Sequence, residues 1–249
     1  MDGGRGFTAE LVELPEDPEI GQELIRIRHD DGRVDELRLH DYEHVYALSG
    51  VYEQIVHERL GCRSPAEIAA MLAAAVARVG WPRSAVRVLD LAAGNGVSGE
   101  ALASLGLRPV LGTDIVPAAR TAALRDRPDV YDDYLTLDLL ALTQAESVGI
   151  GALAANALTC VAPVGADPSQ LPAPALAAAA ALLAPDALIA YLHDPNIGLP
   201  DVVTPDFWSR QLGPGTQAQE LERRRYVHRR TVGGLPFEME GVVYRVRRG

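Results

Sequence analysis

The chain has 249 residues, 48% of them apolar, and carries 34 acidic against 23 basic side chains for a formal charge of −11. That field repels phosphate, which excludes a general nucleic-acid or anionic-membrane binder. All 23 basic residues are arginine, and the missing lysine removes the Walker phosphate loop, Schiff-base chemistry and pyridoxal phosphate, each of which needs an amine.

In chain order, the first 40 residues predict a β appendage. Residues 24–29 and 34–39 flank the turn Asp30-Asp31-Gly32, and Ile25 and Ile27 alternate with Arg26 and Arg28 as in a half-buried strand. Two helical segments follow at 41–48 and 51–60, broken by Ser49-Gly50. Ser64-Pro65 then caps a helix to about residue 79, with Ile68, Met71, Leu72, Ala75 and Val76 on one stripe. From residue 86 strands are expected at 86–91, 109–113, 134–137, 150–157 and 187–193, and helices at 97–105, 117–125 and 171–183. This alternation means a parallel sheet with helices on both faces. Two further strands, 222–231 and 237–247, joined at Val232-Gly233-Gly234-Leu235, make an antiparallel hairpin.

Some features point to nothing special. The uncharged stretch 147–166 is long enough for a membrane span, but Asn156, Pro163 and its glycines suit a buried strand and its loop. Cys62 and Cys160 lack metal-site spacing and read as reduced thiols, and no bound metal is expected. No apolar signal segment opens the chain, so a cytoplasmic protein is expected. Arg223, Arg224, Arg225, Arg229 and Arg230 split between two strand faces and read as a solvated strand.

Chemistry concentrates at residues 86–99, V-R-V-L-D-L-A-A-G-N-G-V-S-G. A strand ends in Asp90, a turn containing Gly94 and Gly96 follows, and a helix begins near Val97. Asp114 ends the next strand twenty residues after Gly94, placed to accept two bonds from a ribose diol. Asp138 ends the third, placed to accept from an adenine amino group. NAD and S-adenosylmethionine share this spelling, and GxGxxG alone does not separate them. Asp90 favours the second, because a carboxylate there opposes a pyrophosphate but can contact a cationic amino-acid end, directly or through water. About 85 residues ahead of the first nucleotide strand and the terminal hairpin favour it too.

The chain resembles the class I S-adenosylmethionine-dependent methyltransferases over about residues 41–248. V-L-D-L-A-A-G-N-G looks like the glycine-loop motif, L-G-T-D-I like the ribose motif, L-T-L-D-L like the adenine motif and A-A-N-A-L-T-C-V like the fourth. L-L-A-P-D-A-L-I-A-Y-L looks like the turn into the fifth strand, with Pro185-Asp186 in place of the usual glycines. D-Y-E-H-V-Y-A-L-S-G-V-Y-E looks like the helices that lid the cofactor. The resemblance implies an α/β, Rossmann-like, mostly parallel seven-stranded sheet in the order 3-2-1-4-5-7-6. An N-terminal β-hairpin (1–40) and a helical lid (41–84) would precede a core at 85–249, with 41–249 as one domain.

The cofactor site is then expected at Asp90, Ala92, Gly94, Asn95, Gly96, Asp114, Ile115, Asp138, Leu139 and Asn156, with Tyr42 and Tyr52 from the lid. His193, ending the fifth strand, is the candidate catalytic group. Each has a plainer reading: Asp138 as a helix cap, Asn156 as a satisfied core amide, the tyrosines as helix faces, His193 as structural. The expected reaction is methyl transfer to a small organic acceptor, with S-adenosylhomocysteine as product. No Asp-Pro-Pro-Tyr or Asn-Pro-Pro-Tyr follows the fourth strand, which disfavours nucleic-acid amino methylation. No nucleic-acid or membrane partner is expected, and a homodimer is compatible with all of this. An NAD(P)-dependent oxidoreductase and a non-catalytic S-adenosylmethionine-binding subunit are the alternatives.

Overall fold

Ile25 and Ile27 turn inward from a strand whose arginines face outward, and they are fully buried. In the computed structural model, which describes residues 6–13, 18, 20–165, 170–196 and 204–249, they lie in a three-stranded antiparallel sheet. Its strands are β1 (Phe7–Leu11), β2 (Leu24–His29) and β3 (Val34–Arg38). β2 and β3 form the expected hairpin. β1 was not foreseen, because five residues of weak alternation give little signal before an acidic, proline-containing run.

The lid follows as α1 (Tyr42–Ala47) and a π-helical segment (Glu53–Arg59). Val45, Val51 and Ile55 share one core with Ile25 and Ile27, so the small sheet and the lid pack as a unit. Helix α2 (Ser64–Arg78) has the expected extent, but Ser64 does not cap it. Its Oγ lies 2.5 Å from His228 Nδ1 instead and accepts from the Tyr226 hydroxyl at 2.8 Å.

The large sheet comprises β4 (Arg87–Leu91), β5 (Arg108–Asp114), β6 (Asp133–Thr136), β7 (Ala157–Cys160), β8 (Asp186–His193), β9 (Gln217–Arg230) and β10 (Pro236–Arg247). Its order is β6-β5-β4-β7-β8-β10-β9. Numbered from β4, this is the expected 3-2-1-4-5-7-6. β4 to β8 run parallel and β10 runs antiparallel to β8. The interleaved helices are α3 (Val97–Ser104), α4 (Pro117–Asp126), α5 (Gln144–Ala152), α6 (Ala173–Ala181) and α7 (Pro205–Leu212). Strand alternation divides the core: Leu89, Leu158, Ile189 and Tyr191 meet α6 and α7, whereas Val88, Ala157, Leu188 and Ala190 meet α2.

Two expectations are corrected. The fourth strand, expected at 150–157, is β7 at Ala157–Cys160, and α5 takes the first three residues of its predicted span. The reason is local: Thr143 and Glu146 form a reciprocal capping box that starts α5. Arg229, expected on a solvated strand, is buried with Glu23, its ion-pair partner from just before β2. The rest of the arginine run is on the surface and paired: Arg223 with Glu220 and Glu240, Arg224 with Glu67 and Glu222, Arg225 with Glu238.

The β9–β10 hairpin continues past the carboxyl end of β8, since His193 pairs with Glu240 and β10 starts four residues earlier. Its extension meets the lid, where Arg230 N donates to Leu60 O (2.7 Å) and Arg63 N to His228 O (2.9 Å). Among the described residues no single helix is long and apolar enough to cross a membrane.

Candidate functional site

The carboxyl ends of β4 and β5 frame the turn that sequence reading singled out. Ala92, Gly94 and Gly96 all have left-handed backbones, at φ 48°, 55° and 90°. This conformation is costly for alanine and natural for glycine. Gly94 N donates to Asp114 Oδ2 at 2.9 Å, and Val116 N donates to Oδ1 at 2.9 Å. Gly94 O accepts from the Tyr134 hydroxyl at 2.7 Å. Burial pushes the Asp114 carboxyl up, and backbone donors at Val116, Gly94 and Ile115 oppose that shift.

Space above the turn is closed by the lid. A Cβ at position 94 would lie 2.5 Å from the Tyr46 hydroxyl. Tyr46 stacks on Tyr42 at 5.4 Å and meets Tyr52 at 5.2 Å between ring centres. Burial pushes all three phenols up, so they remain protonated hydrogen-bonding groups. Gly94→Ala should therefore displace Tyr46 and cost about 1–3 kcal/mol, in the range of an overpacked core. A lower urea midpoint together with faster protease cutting within residues 41–60 would register it. An unchanged cutting pattern would mean that the turn and lid do not bear on each other.

Asn95 joins the two layers. Its Nδ2 donates to Glu53 Oε1 at 2.8 Å, and its carbonyl accepts from Arg127 Nη1 at 3.0 Å. Arg127 also reaches Glu53 and Glu100, each at 2.8 Å. Arg125 holds the lid from α4 by donating to Tyr46 O and Ala47 O at 3.1 and 3.2 Å.

The neighbouring strand ends carry the other expected residues. Ile115 is 64% exposed, although apolar, and Leu139 is almost buried. Asp138 is exposed and accepts from Leu140 N at 2.9 Å in a local turn, and it does not cap the next helix, whose cap is Thr143. The structure thus brings together Ala92, Gly94, Asn95, Gly96, Asp114 and Ile115 with Tyr42 and Tyr52, and places Asp138 and Leu139 one strand away.

Three assignments change. Asn156 precedes β7 and lies at the amino edge of the sheet, opposite the turn. Its Oδ1 accepts from Arg87 N (2.8 Å) and its Nδ2 donates to Ala85 O (3.0 Å). It is the satisfied amide of its plainer reading, and the cause is the displaced fourth strand.

Asp90 is fully buried behind the turn, not at its open side. Ser98, Tyr131 and Thr159 donate to its carboxylate at 2.6, 2.7 and 2.7 Å. Burial pushes its carboxyl up against those three donors. A direct contact with a ligand is replaced by support of the turn from below.

His193 does end β8, but its Nε2 lies 3.1 Å from Glu240 Oε1, and Arg223 holds the same carboxylate. β7 separates β8 from β4, so about 9–10 Å lies between the strand bearing His193 and the strand feeding the turn.

Glu53, Arg127, Tyr131 and His228 escaped sequence reading. Their partners lie 27 to 164 residues away, and no short-range pattern marks such pairs.

No protein-family profile matches the sequence, and neither does any curated protein. Solved structures do match. One is a proposed RNA methyltransferase from Pyrococcus horikoshii, 13% identical, with 72% of this chain covering 81% of that one at a TM-score of 0.50. Another is the magnesium protoporphyrin IX methyltransferase of Synechocystis with SAH bound. It is 14% identical, with 74% of this chain covering 83% of that one at a TM-score of 0.50. At such identities the likeness is one of architecture. Together with the strand order and the antiparallel β10, it shows that this chain has the fold of the class I S-adenosylmethionine-dependent methyltransferases.

Proposed function

We propose that the chain binds S-adenosylmethionine and transfers its methyl group to a small organic acceptor. Asp114 carries this reading. It stands at the end of the strand beside the glycine turn, tied to Gly94 N, with lone pairs left over for a ribose diol. The residues fit the cofactor: Asp114 presents carboxylate lone pairs at the strand end beside the turn, and the chain's net charge of −11 suits a cation rather than a pyrophosphate. The S-adenosylhomocysteine in the Synechocystis neighbour supports the same reading.

In this reading Ala92, Gly94, Asn95 and Gly96 bring backbone close to the ligand. Ile115 and Leu139 flank the adenine, and Asp138 accepts from its amino group. Tyr42 and Tyr52 close over the amino-acid end. When bound, the cofactor supplies a methyl group already activated by positive sulfur. The chain's own residues then contribute alignment and exclusion of water, which the tyrosine lid provides. A small acceptor is favoured because Arg223, Arg224, Arg225 and Arg229 of β9 are ion-paired, which leaves no continuous phosphate-binding stripe.

Titration calorimetry should show S-adenosylhomocysteine binding and no binding of NADH. Asp114→Ala should weaken the affinity by about 10- to 150-fold, the equivalent of roughly 1.5–3 kcal/mol for hydrogen bonds to a charged group. NADH binding alone would overturn the cofactor, and an undiminished affinity in the variant would overturn the ribose contact.

A further inference from the structure

Among the described residues, three buried side-chain nitrogen or oxygen atoms have no hydrogen-bond partner: Glu53 Oε2, His57 Nε2 and Trp208 Nε1. Two of the three sit four residues apart on the π-helical segment of the lid. Both are acceptors. The other oxygen of Glu53 takes Asn95 Nδ2 and Arg127 Nη1. His57 Nδ1 lies 3.2 Å from the Cys62 carbonyl, and a carbonyl only accepts, so Nδ1 carries the proton and Nε2 presents a lone pair. A buried acceptor without a donor is costly, and each of these two calls for one.

The surroundings indicate where that donor comes from. Glu53 is anchored on Asn95 of the glycine turn. His57 packs edge-on against Tyr52, which touches Tyr46 above Gly94. His57 also lines a cleft of about 250 Å³ together with Cys62, Arg63, Val97 and Glu100. The cleft runs along α3 from Ser104 to Val97, and Val97 follows directly on Gly96 of the turn. Burial pushes the His57 imidazole down, helped slightly by the Arg127 charge and opposed by the Cys62 carbonyl and by Glu53.

We infer that Glu53 and His57 receive the N–H or O–H of the methyl acceptor and that His57 Nε2 takes the proton it releases. This rests on the methyltransferase reading above and names its substrate class: a small amine or hydroxyl compound. The acceptor's lone pair forms the new bond to methyl carbon, and the carbon–sulfur bond breaks with its electron pair on sulfur. The acceptor's proton moves to Nε2 and from there to solvent.

The test uses the whole protein. In ¹⁵N-histidine spectra, the signal lost in His57→Gln should show a protonated Nδ1 and a bare Nε2. Radiolabelled methyl transfer from S-adenosylmethionine to a panel of phenols and primary amines should occur in the wild type. It should fall about 100-fold or more in His57→Gln, the usual scale for losing a general base. A panel member that is methylated should move the Nε2 resonance, and S-adenosylhomocysteine alone should not. His57→Gln should bind S-adenosylhomocysteine within about threefold of wild type. Weakened S-adenosylhomocysteine binding in this variant would assign His57 to the cofactor and overturn the inference. So would an Nδ1-bare tautomer in the wild type, or a wild type that binds S-adenosylhomocysteine but methylates no panel member. Failure of the wild type to bind S-adenosylhomocysteine at all would instead overturn the cofactor reading.

Discussion

Glu23→Gln should lower the unfolding free energy by about 3–5 kcal/mol, the scale for breaking a buried ion pair from one side. Glu23 is 1% exposed at its side chain and Arg229 is 4% exposed. Glu23 also accepts from Gly21 N at 2.7 Å, so the carboxylate fixes a turn as well as the guanidinium. Glutamine would keep the shape but leave Arg229 as a buried cation facing an amide. For a chain of this length each kcal/mol moves the thermal midpoint by about 2–4 °C, giving a drop of roughly 6–20 °C. The paired change Glu23→Leu with Arg229→Met should recover most of the loss, since well-packed apolar replacements of buried pairs are often neutral. Urea midpoints for the wild type and the two variants decide it. A single variant as stable as wild type would show that the pair is hydrated in solution.

Acidification from pH 7 to pH 4 should destabilise the fold through His228, and His228→Gln should flatten that dependence. Burial, then the charges of Arg229, His57 and His40, push the His228 imidazole down to about 3 from an ordinary 6.5. Between those values the unfolded chain binds a proton that the folded chain refuses. Stability from this group is therefore full above pH 6.5 and drains away as pH falls toward 3. At about 1.36 kcal/mol per unit the loss by pH 4 has an upper bound near 3 kcal/mol, less with partial solvent access.

The local hydrogen bonds agree with a neutral ring. Tyr226 donates to Ser64, which leaves the Ser64 proton for His228 Nδ1. Asp90 and Asp114 act with the opposite sign. Burial raises both carboxyls, so the fold keeps protons there that the unfolded chain has lost, and acid favours the fold at those two sites. The informative quantity is thus the wild-type minus His228→Gln difference in urea midpoint across pH. A difference independent of pH would show that His228 is charged in the fold.

Much of the architecture was legible because its signals are local. Val-Leu-Asp-Leu before a glycine turn, period-2 alternation in β2, and Gly233-Gly234 between two long strands each declare themselves within ten residues. The fourth strand was misplaced because residues 150–160 are uncharged and largely apolar, and periodicity alone does not separate a buried strand from a buried helix. The Thr143-x-x-Glu146 box was the available signal, and it places α5 correctly. At the site, the turn and Asp114 were readable from spacing. Asp90 was read with the right residue and the wrong direction, since which side of a strand end a carboxylate faces depends on donors 8 to 69 residues away. Glu53, His57 and His228 acquire meaning only when the lid folds onto the turn and the hairpin, and no spacing rule connects them.

The Glu23–Arg229 pair spans 206 residues, and this imposes an order on synthesis. At about 5–20 residues per second, Glu23 leaves the ribosome some 10–40 s before its partner is made. During that interval the small sheet has only the lid to lean on, through Val45, Val51 and Ile55. The hairpin, made later, supplies the guanidinium and the backbone bonds at Leu60 and Arg63 that seal it. The small sheet is thereby made early and locked late, and a ribosome stalled before Arg229 would hold a chain whose lid has no latch.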